Sequence, residues 1–249
     1  MIIIKGRFLT YGEIWFNEEP PQRPGVDVLM FRLRPEPIEG SRYTPFLSLA
    51  NDLTADEEAI KASFGKTNRY KIHRAESRDE LEAAFFPDCR AHLDTFFDFY
   101  DDFAEQKSLR RLYRRELQAA CEAGQLVLSS AKCRGEPLVW HAYIRLGDTA
   151  ALLHSASHFR AQAAADRAVV GRANRWLHWR DMLEFKQLGL SRYDWGGMFD
   201  DEKIPAQASV NAFKREFGGI SVHHWNCTLP MTLKGRGYLS MQRGLHRND

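Results

Sequence analysis

The stretch that most constrains this 249-residue chain lies between residues 125 and 155. Gln125–Lys132, Pro137–Leu146 and Thr149–Ser155 are apolar runs of strand length. They are separated by Cys133-Arg-Gly-Glu136 and by Gly147-Asp148, both hairpin-turn compositions. Three consecutive antiparallel strands are expected. After a polar loop (His158–Arg167), a helix runs to about Leu188 and is stopped by Gly189. A short strand (Ser191–Trp195), a glycine turn, a helix near Ser209–Phe217, Gly218-Gly219 and a last strand (Ile220–Cys227) complete the order β-β-β-α-β-α-β. The expected class is α/β, with a mixed, mostly antiparallel sheet flanked by helices.

Upstream, Ile2–Leu9 and Glu13–Phe16 read as a hairpin-like pair. Val26–Leu33 reads as a third strand ended by Pro35 and Pro37, and Phe46–Leu49 as a short fourth. Thr54-Ala-Asp-Glu57 reads as a capping box opening a helix to about Ser63. The cation-dense Lys66–Arg74 reads as a strand or strand edge. Arg78–Phe86 reads as a helical piece, and Pro87 as the start of another, with Cys89, Leu93, Phe96, Phe97, Tyr100 and Phe103 on one side. Leu109–Ala123, rich in arginine, reads as a further helix ending at Gly124. The expected division is an N-terminal β-rich segment, 1–56, packed on a core, 57–249.

A hydrophobic content of 44% and a charged content of 27% suit a globular protein. A formal charge of +2 argues against coating nucleic acid by charge alone but leaves room for a local basic groove. The apolar start, MIIIKGRFLTYGEIWF, is broken by Lys5 and Arg7, so neither a signal peptide nor a membrane segment is expected, and the location expected is cytoplasmic. Cys89, Cys121, Cys133 and Cys227 are scattered and read as buried reduced thiols. His223 and His224 are adjacent on a strand and face opposite ways, so no metal site is expected.

The element order resembles the core of GNAT acyltransferases. Two runs, NRWLHWRDMLEFKQLGLSRYDWGG (174–197) and NAFKREFGG (211–219), together with SFGKTNRYKIHRAE (63–76), resemble the FemAB-like branch. That branch shows a helix ending K-x-x-G, a Y-D-[FW]-G-G strand end and an F-K-x-x-F-G helix. The resemblance implies a GNAT-like fold with a truncated N-terminal β-rich unit. It implies transfer of an acyl or aminoacyl group to an amine, from acyl-CoA or from aminoacyl-tRNA, with no tightly bound cofactor. The chain departs from the peptidoglycan-building members in its length and in lacking a long charged helical hairpin.

By that resemblance Arg167-Ala-Val-Val-Gly171-Arg172-Ala173, with Asn174, corresponds to a coenzyme A phosphate loop, although the arginine stands one residue early. A helix start with small residues packing on the sheet is the other reading. Lys214 matches a family lysine that stabilises the transition state or holds a phosphate; a lysine snorkelling beside Phe213 and Phe217 is the alternative. Tyr193 is a candidate proton donor to the leaving group and Asp194 a candidate orienter of the amine, against a core tyrosine and a turn-capping aspartate. His154, with Ser155, sits where such enzymes keep a base. Trp195, Gly196 and Phe213 complete the motif's substrate-binding set. Lys66, Arg69, Tyr70, Lys71 and Arg74 are candidates to grip the phosphates of a nucleotide- or lipid-linked acceptor, or form a solvated edge. Arg180 falls in the middle of an apolar helical stripe, either facing a cleft anion or snorkelling.

The expected activity is N-acyl transfer from acyl-CoA to an amine of a sugar, peptide or other envelope or polysaccharide precursor. The alternatives are aminoacyl-tRNA-dependent transfer, with tRNA as a partner, and a non-catalytic binding module on the same fold.

Overall fold

A computed structural model describes residues 1–158, 164–199 and 203–245. Ten strands form one sheet: β1 (Ile2–Lys5), β2 (Thr10–Trp15), β3 (Val28–Arg34), β4 (Arg42–Asp52), β5 (Leu81–Phe86), β6 (Leu126–Cys133), β7 (Glu136–Leu146), β8 (Thr149–Ser157), β9 (Arg192–Gly197) and β10 (Ile220–Pro230). Their spatial order is β1-β2-β3-β10-β4-β9-β8-β7-β6-β5. The helices are α1 (Glu57–Ala62), α2 (Lys66–Arg78), α3 (Leu93–Lys107), α4 (Arg114–Glu122), α5 (Ala164–Gln187), α6 (Pro205–Arg215) and α7 (Leu233–Leu245).

From β6 onward the elements follow the expected β-β-β-α-β-α-β order, and the architecture is the GNAT-like mixed sheet. The β6–β7 hairpin turns on Arg134 and Gly135, both at positive φ (52° and 83°), as a two-residue turn matched to strand twist requires. Alternation along the strands divides the core. One face packs Val127, Tyr143, Tyr193 and Trp195 against α1, α2, α5 and Phe217. The other packs Leu128, Ala142, Ile144 and Ala151 against α3 and α4.

β8 and β9 are parallel and pair only at Thr149–Arg192, Ala150–Tyr193 and Ala151–Asp194. Beyond Asp194 the strands part. Gly196 sits at the parting with φ +66°, where a Cβ would lie 2.7 Å from the Leu152 carbonyl oxygen.

Several local expectations are corrected. Lys66–Arg74 is helical, within α2, because Asn68, Ile72 and Ala75 recur at helical spacing and are buried. Arg78–Phe86 is not a helix: Glu80, at φ 49°, ends α2, and Leu81–Phe86 pairs antiparallel with β6. The cap of α1 is Asp56, whose side chain accepts from the Ala59 amide, while Thr54 bonds Asp52. The arginine-rich helix starts at Arg114, not Leu109, after Ser108 closes α3 in a left-handed conformation. α7 had no sequence expectation. Residues 1–56 supply β1–β4, and β3 and β4 flank β10 inside the one sheet. Of the expected loop 158–167, residues 159–163 lie outside the described residues.

Candidate active site

The opening between β8 and β9 is approached from both faces of the sheet. On the α2–α5 face lies a cleft of about 500 Å³ lined by Tyr70, Lys71, Arg74, Ser157, Gly171 and Phe213, with Arg172, Asn174 and Arg175 at its walls. The basic segment and the expected phosphate-loop residues therefore meet, but as two helices side by side. Gly171 to Asn174 lie two turns inside α5, where amide groups are already used by the helix, so the anion site that a helix N-terminus offers is not at these residues. Arg172 is bound bidentate to Asp79 at 2.5 and 2.8 Å, and Ala173 is fully buried. Arg167 is exposed on α5, and Lys66 and Arg69 are exposed on α2 outside the cleft lining; Arg69 donates to the Ala62 carbonyl. Arg180 pairs with Glu184 at 3.7 Å and is not among the residues lining this cleft.

Beneath this cleft is a buried hydrogen-bonded chain that includes residues the sequence did not single out. His178 Nδ1 lies 2.7 Å from the Tyr193 hydroxyl, which is 2.9 Å from Tyr143. Tyr143 donates to Asp181 at 2.6 Å, and His141 Nδ1 meets the same carboxylate oxygen at 2.7 Å. His141 Nε2 is 2.8 Å from the Asn174 side-chain oxygen, which also accepts from Ser155. Because Tyr143 gives its proton to Asp181, Tyr193 must donate to Tyr143 and His178 must donate to Tyr193. The Tyr193 proton is thus committed. Burial first, then Asp181, raises the Tyr193 pKa well above 10, so Tyr193 is a core residue and not the expected proton donor.

Among the described residues, His141, His178 and Asp181 are the trio whose ligand atoms lie within 4.8 Å of one another. The two rings stack at 4.0 Å and 20°, which directs their in-plane lone pairs past each other rather than onto one ion. The sequence signal for this chain was present in two polar residues on one face of an apolar strand (His141, Tyr143) and an H-x-x-D in an apolar helix (His178, Asp181).

On the α3–α4 face, a groove of about 940 Å³ is rimmed by Lys5, Arg32, Arg42, Arg111, Arg114 and Arg115. It continues into a mostly apolar cavity of about 500 Å³ whose walls include Phe46, Tyr100, Leu117 and Ile144 and which ends at His154, Gly196 and Gly197. Burial lowers the His154 pKa to about 4, and its ring lies edge-on to Tyr100. Asp194 points to this face, accepting from the Ser48 hydroxyl and the Gly196 amide, both at 2.8 Å. Trp195 faces the other way and donates to Asn51.

Lys214, on α6, reaches the parting itself. Its ammonium donates to the Gly197 carbonyl at 2.6 Å. Burial lowers its pKa to about 8 against the opposing pull of Asp194. Phe213, its neighbour, packs against His178 and under the Arg175 guanidinium.

No protein-family profile matches the sequence, and no curated protein matches it. Solved structures do. FemX superposes with a TM-score of 0.60 over 78% of this chain at 15% identity; the match spans 63% of the FemX chain. The chain has the FemX fold. The C-terminal domain of an Agrobacterium fabrum protein assigned as a lysylphosphatidylglycerol synthetase superposes at 0.58, 12% identical, over 94% of this chain and 84% of that one. No described helix is long and apolar enough to cross a membrane.

Proposed function

We propose that this chain is a transferase that moves an acyl or aminoacyl group onto an amine, with the reacting carbonyl at the opening between β8 and β9. The observation that carries this reading is Lys214. It is a buried ammonium bound to Gly197, which ends the cavity on one face of the sheet, while its neighbour Phe213 lines the cleft on the other. One of its protons is held by Gly197, leaving two to face an oxyanion and a leaving group. The amine lone pair attacks the donor carbonyl and the C–N bond forms. The C–S or C–O bond of the donor then breaks, its electron pair staying on the leaving group, which takes a proton from Lys214; the attacking nitrogen loses its extra proton to water, and Lys214 regains one from water.

Acyl-CoA is the first donor, and an amine of a sugar, peptide or envelope precursor the acceptor. Aminoacyl-tRNA is the second donor, favoured by the arginines that rim the 940 Å³ groove leading to the opening. One superposed protein is assigned as a lysylphosphatidylglycerol synthetase, a name that supports aminoacyl transfer and leaves the acceptor to be argued from this chain's own site.

The test is product detection by mass spectrometry with each donor, alongside calorimetric binding of coenzyme A and salt-titrated binding of tRNA. Lys214→Ala is expected to lower the transfer rate by about 10²–10³-fold, as for loss of one oxyanion donor. A variant as fast as the parent would refute the assignment. No transfer from either donor, with no binding of coenzyme A or tRNA, would leave a binding module on this fold.

A further inference from the structure

On the α3–α4 face a third cavity, of about 560 Å³, adjoins the apolar one and shares Trp15 and Leu33 with it. Its charged lining is Asp148, Asp194 and Glu18, the last with Oε1 paired to the Met1 ammonium, against Arg192, the reverse of the arginine-rimmed groove at the other end. Carboxylates alone do not make a site. Here, however, Trp15 Nε1, Glu18 Oε2 and both ring nitrogens of His224 are shielded from solvent and make no hydrogen bond, and all three residues line this cavity. Trp15 and His224 are 8% and 6% exposed. Buried polar groups are normally partnered, so one donor, one acceptor and an imidazole converging here match a ligand that carries both donors and acceptors. His224 Nε2 lies 3.5 Å from Asp194 Oδ2, and Asp194 is itself fixed by Ser48 and Gly196. At that distance the carboxylate makes no hydrogen bond to the ring but sets a negative charge beside an imidazole whose two nitrogens are both unpartnered, close to where β8 and β9 part.

We infer that this cavity is the acceptor site, that it takes a small hydroxylated primary amine of the amino-sugar or amino-alcohol class, and that His224 removes the proton from its nitrogen. The chemical role rests on the transfer reading above; the binding does not. The amine nitrogen lies between Asp194 and His224, with hydroxyls on Trp15 and Glu18. As the C–N bond forms, a proton passes from nitrogen to His224, while Lys214 protonates the leaving group. His224 then loses its proton to water and Lys214 regains one, so the sum is amine plus acyl donor to amide plus protonated leaving group. Phosphates of a larger acceptor are repelled by this lining and stay outside it.

D-glucosamine, titrated without donor into the intact protein and followed by NMR of the backbone amides and histidine ring nitrogens, tests the inference. Saturable shifts are expected at the amides of Asp148, Thr149, Asp194 and His224, with a change at the ring nitrogens of His224. Binding is expected to weaken by about 10-fold or more for N-acetylglucosamine, which lacks the basic amine, and in Asp194→Asn. Shifts confined to other residues, or equal affinity for both sugars, would overturn the site. A His224 ring whose nitrogens do not respond would overturn its role as base. Because no donor is present, binding is read independently of transfer: a protein that binds glucosamine here yet gives no amide product from either donor in the transfer assay overturns the transfer reading and leaves the amine site standing.

Discussion

Lys214 holds a charge in a place that disfavours charge, and its pH behaviour follows. With a pKa near 8 it is an ammonium at neutral pH and an amine in alkali. If the ammonium stabilises the oxyanion, the transfer rate constant is expected to fall as pH rises through about 8, and a pH–rate profile measures this. Stability moves the other way. The folded pKa lies below the ordinary 10.5, so between about 8 and 10.5 the unfolded chain binds the extra proton and folding strengthens with pH, by roughly 3 kcal/mol in total. Denaturant titrations at pH 8 and 10, compared between the parent and Lys214→Met, isolate that contribution. Lys214 and Asp194 were legible because they stand in a motif whose order is specific. Tyr193 stands in the same motif, but its fate depends on Tyr143 on β7 and on His178 and Asp181 on α5, two other places in the chain. His224 was invisible for a similar reason: its meaning comes from Asp194 on β9, across β4, and from the lack of any other partner.

At the level of elements, α2 was misjudged, and α5 was expected as a helix but with the direction of Arg180 left open, for opposite reasons. The buried face of α2 includes Asn68, a polar residue whose side chain bonds the Glu216 carbonyl, so the apolar period was broken and the cations dominated the reading. On α5, Val170, Ala173, Trp176, Leu177, Trp179, Met182 and Phe185 are all buried, on more than one side of the helix. No single stripe points to the sheet, and the direction of Arg180 could not be read from spacing. The two helices are tied by Asp79 and Arg172, whose side chains are 7% and 10% exposed. Asp79→Ala leaves a buried guanidinium and is expected to cost about 3–5 kcal/mol. Glu184→Ala removes a half-buried, solvent-reaching partner of Arg180 and is expected to cost under about 1 kcal/mol. Thermal and urea unfolding of the two variants tests the contrast.

Across the whole molecule, the strand order makes residues 1–56 part of the sheet that carries the site. β4 lies between β10 and β9, and Ser48 on β4 holds Asp194. A chain lacking residues 1–56 exposes both edges of β10 and one of β9, and is expected to aggregate rather than fold; size-exclusion chromatography and amide NMR dispersion would show it. The core's element order was readable in the turns and glycines of residues 125–219, which are local signals. The insertion of β10 between β3 and β4 was not, because antiparallel pairing over such separations leaves no mark in either strand. That insertion also bears on how the protein is made. β3 and β4 leave the ribosome early and do not pair with each other; the strand that joins them is residues 220–230. During synthesis their facing edges stay open until Pro230 has emerged. A stalled or shortened translation product therefore carries two unsatisfied ladders, and it is the species on which chaperones or aggregation would act.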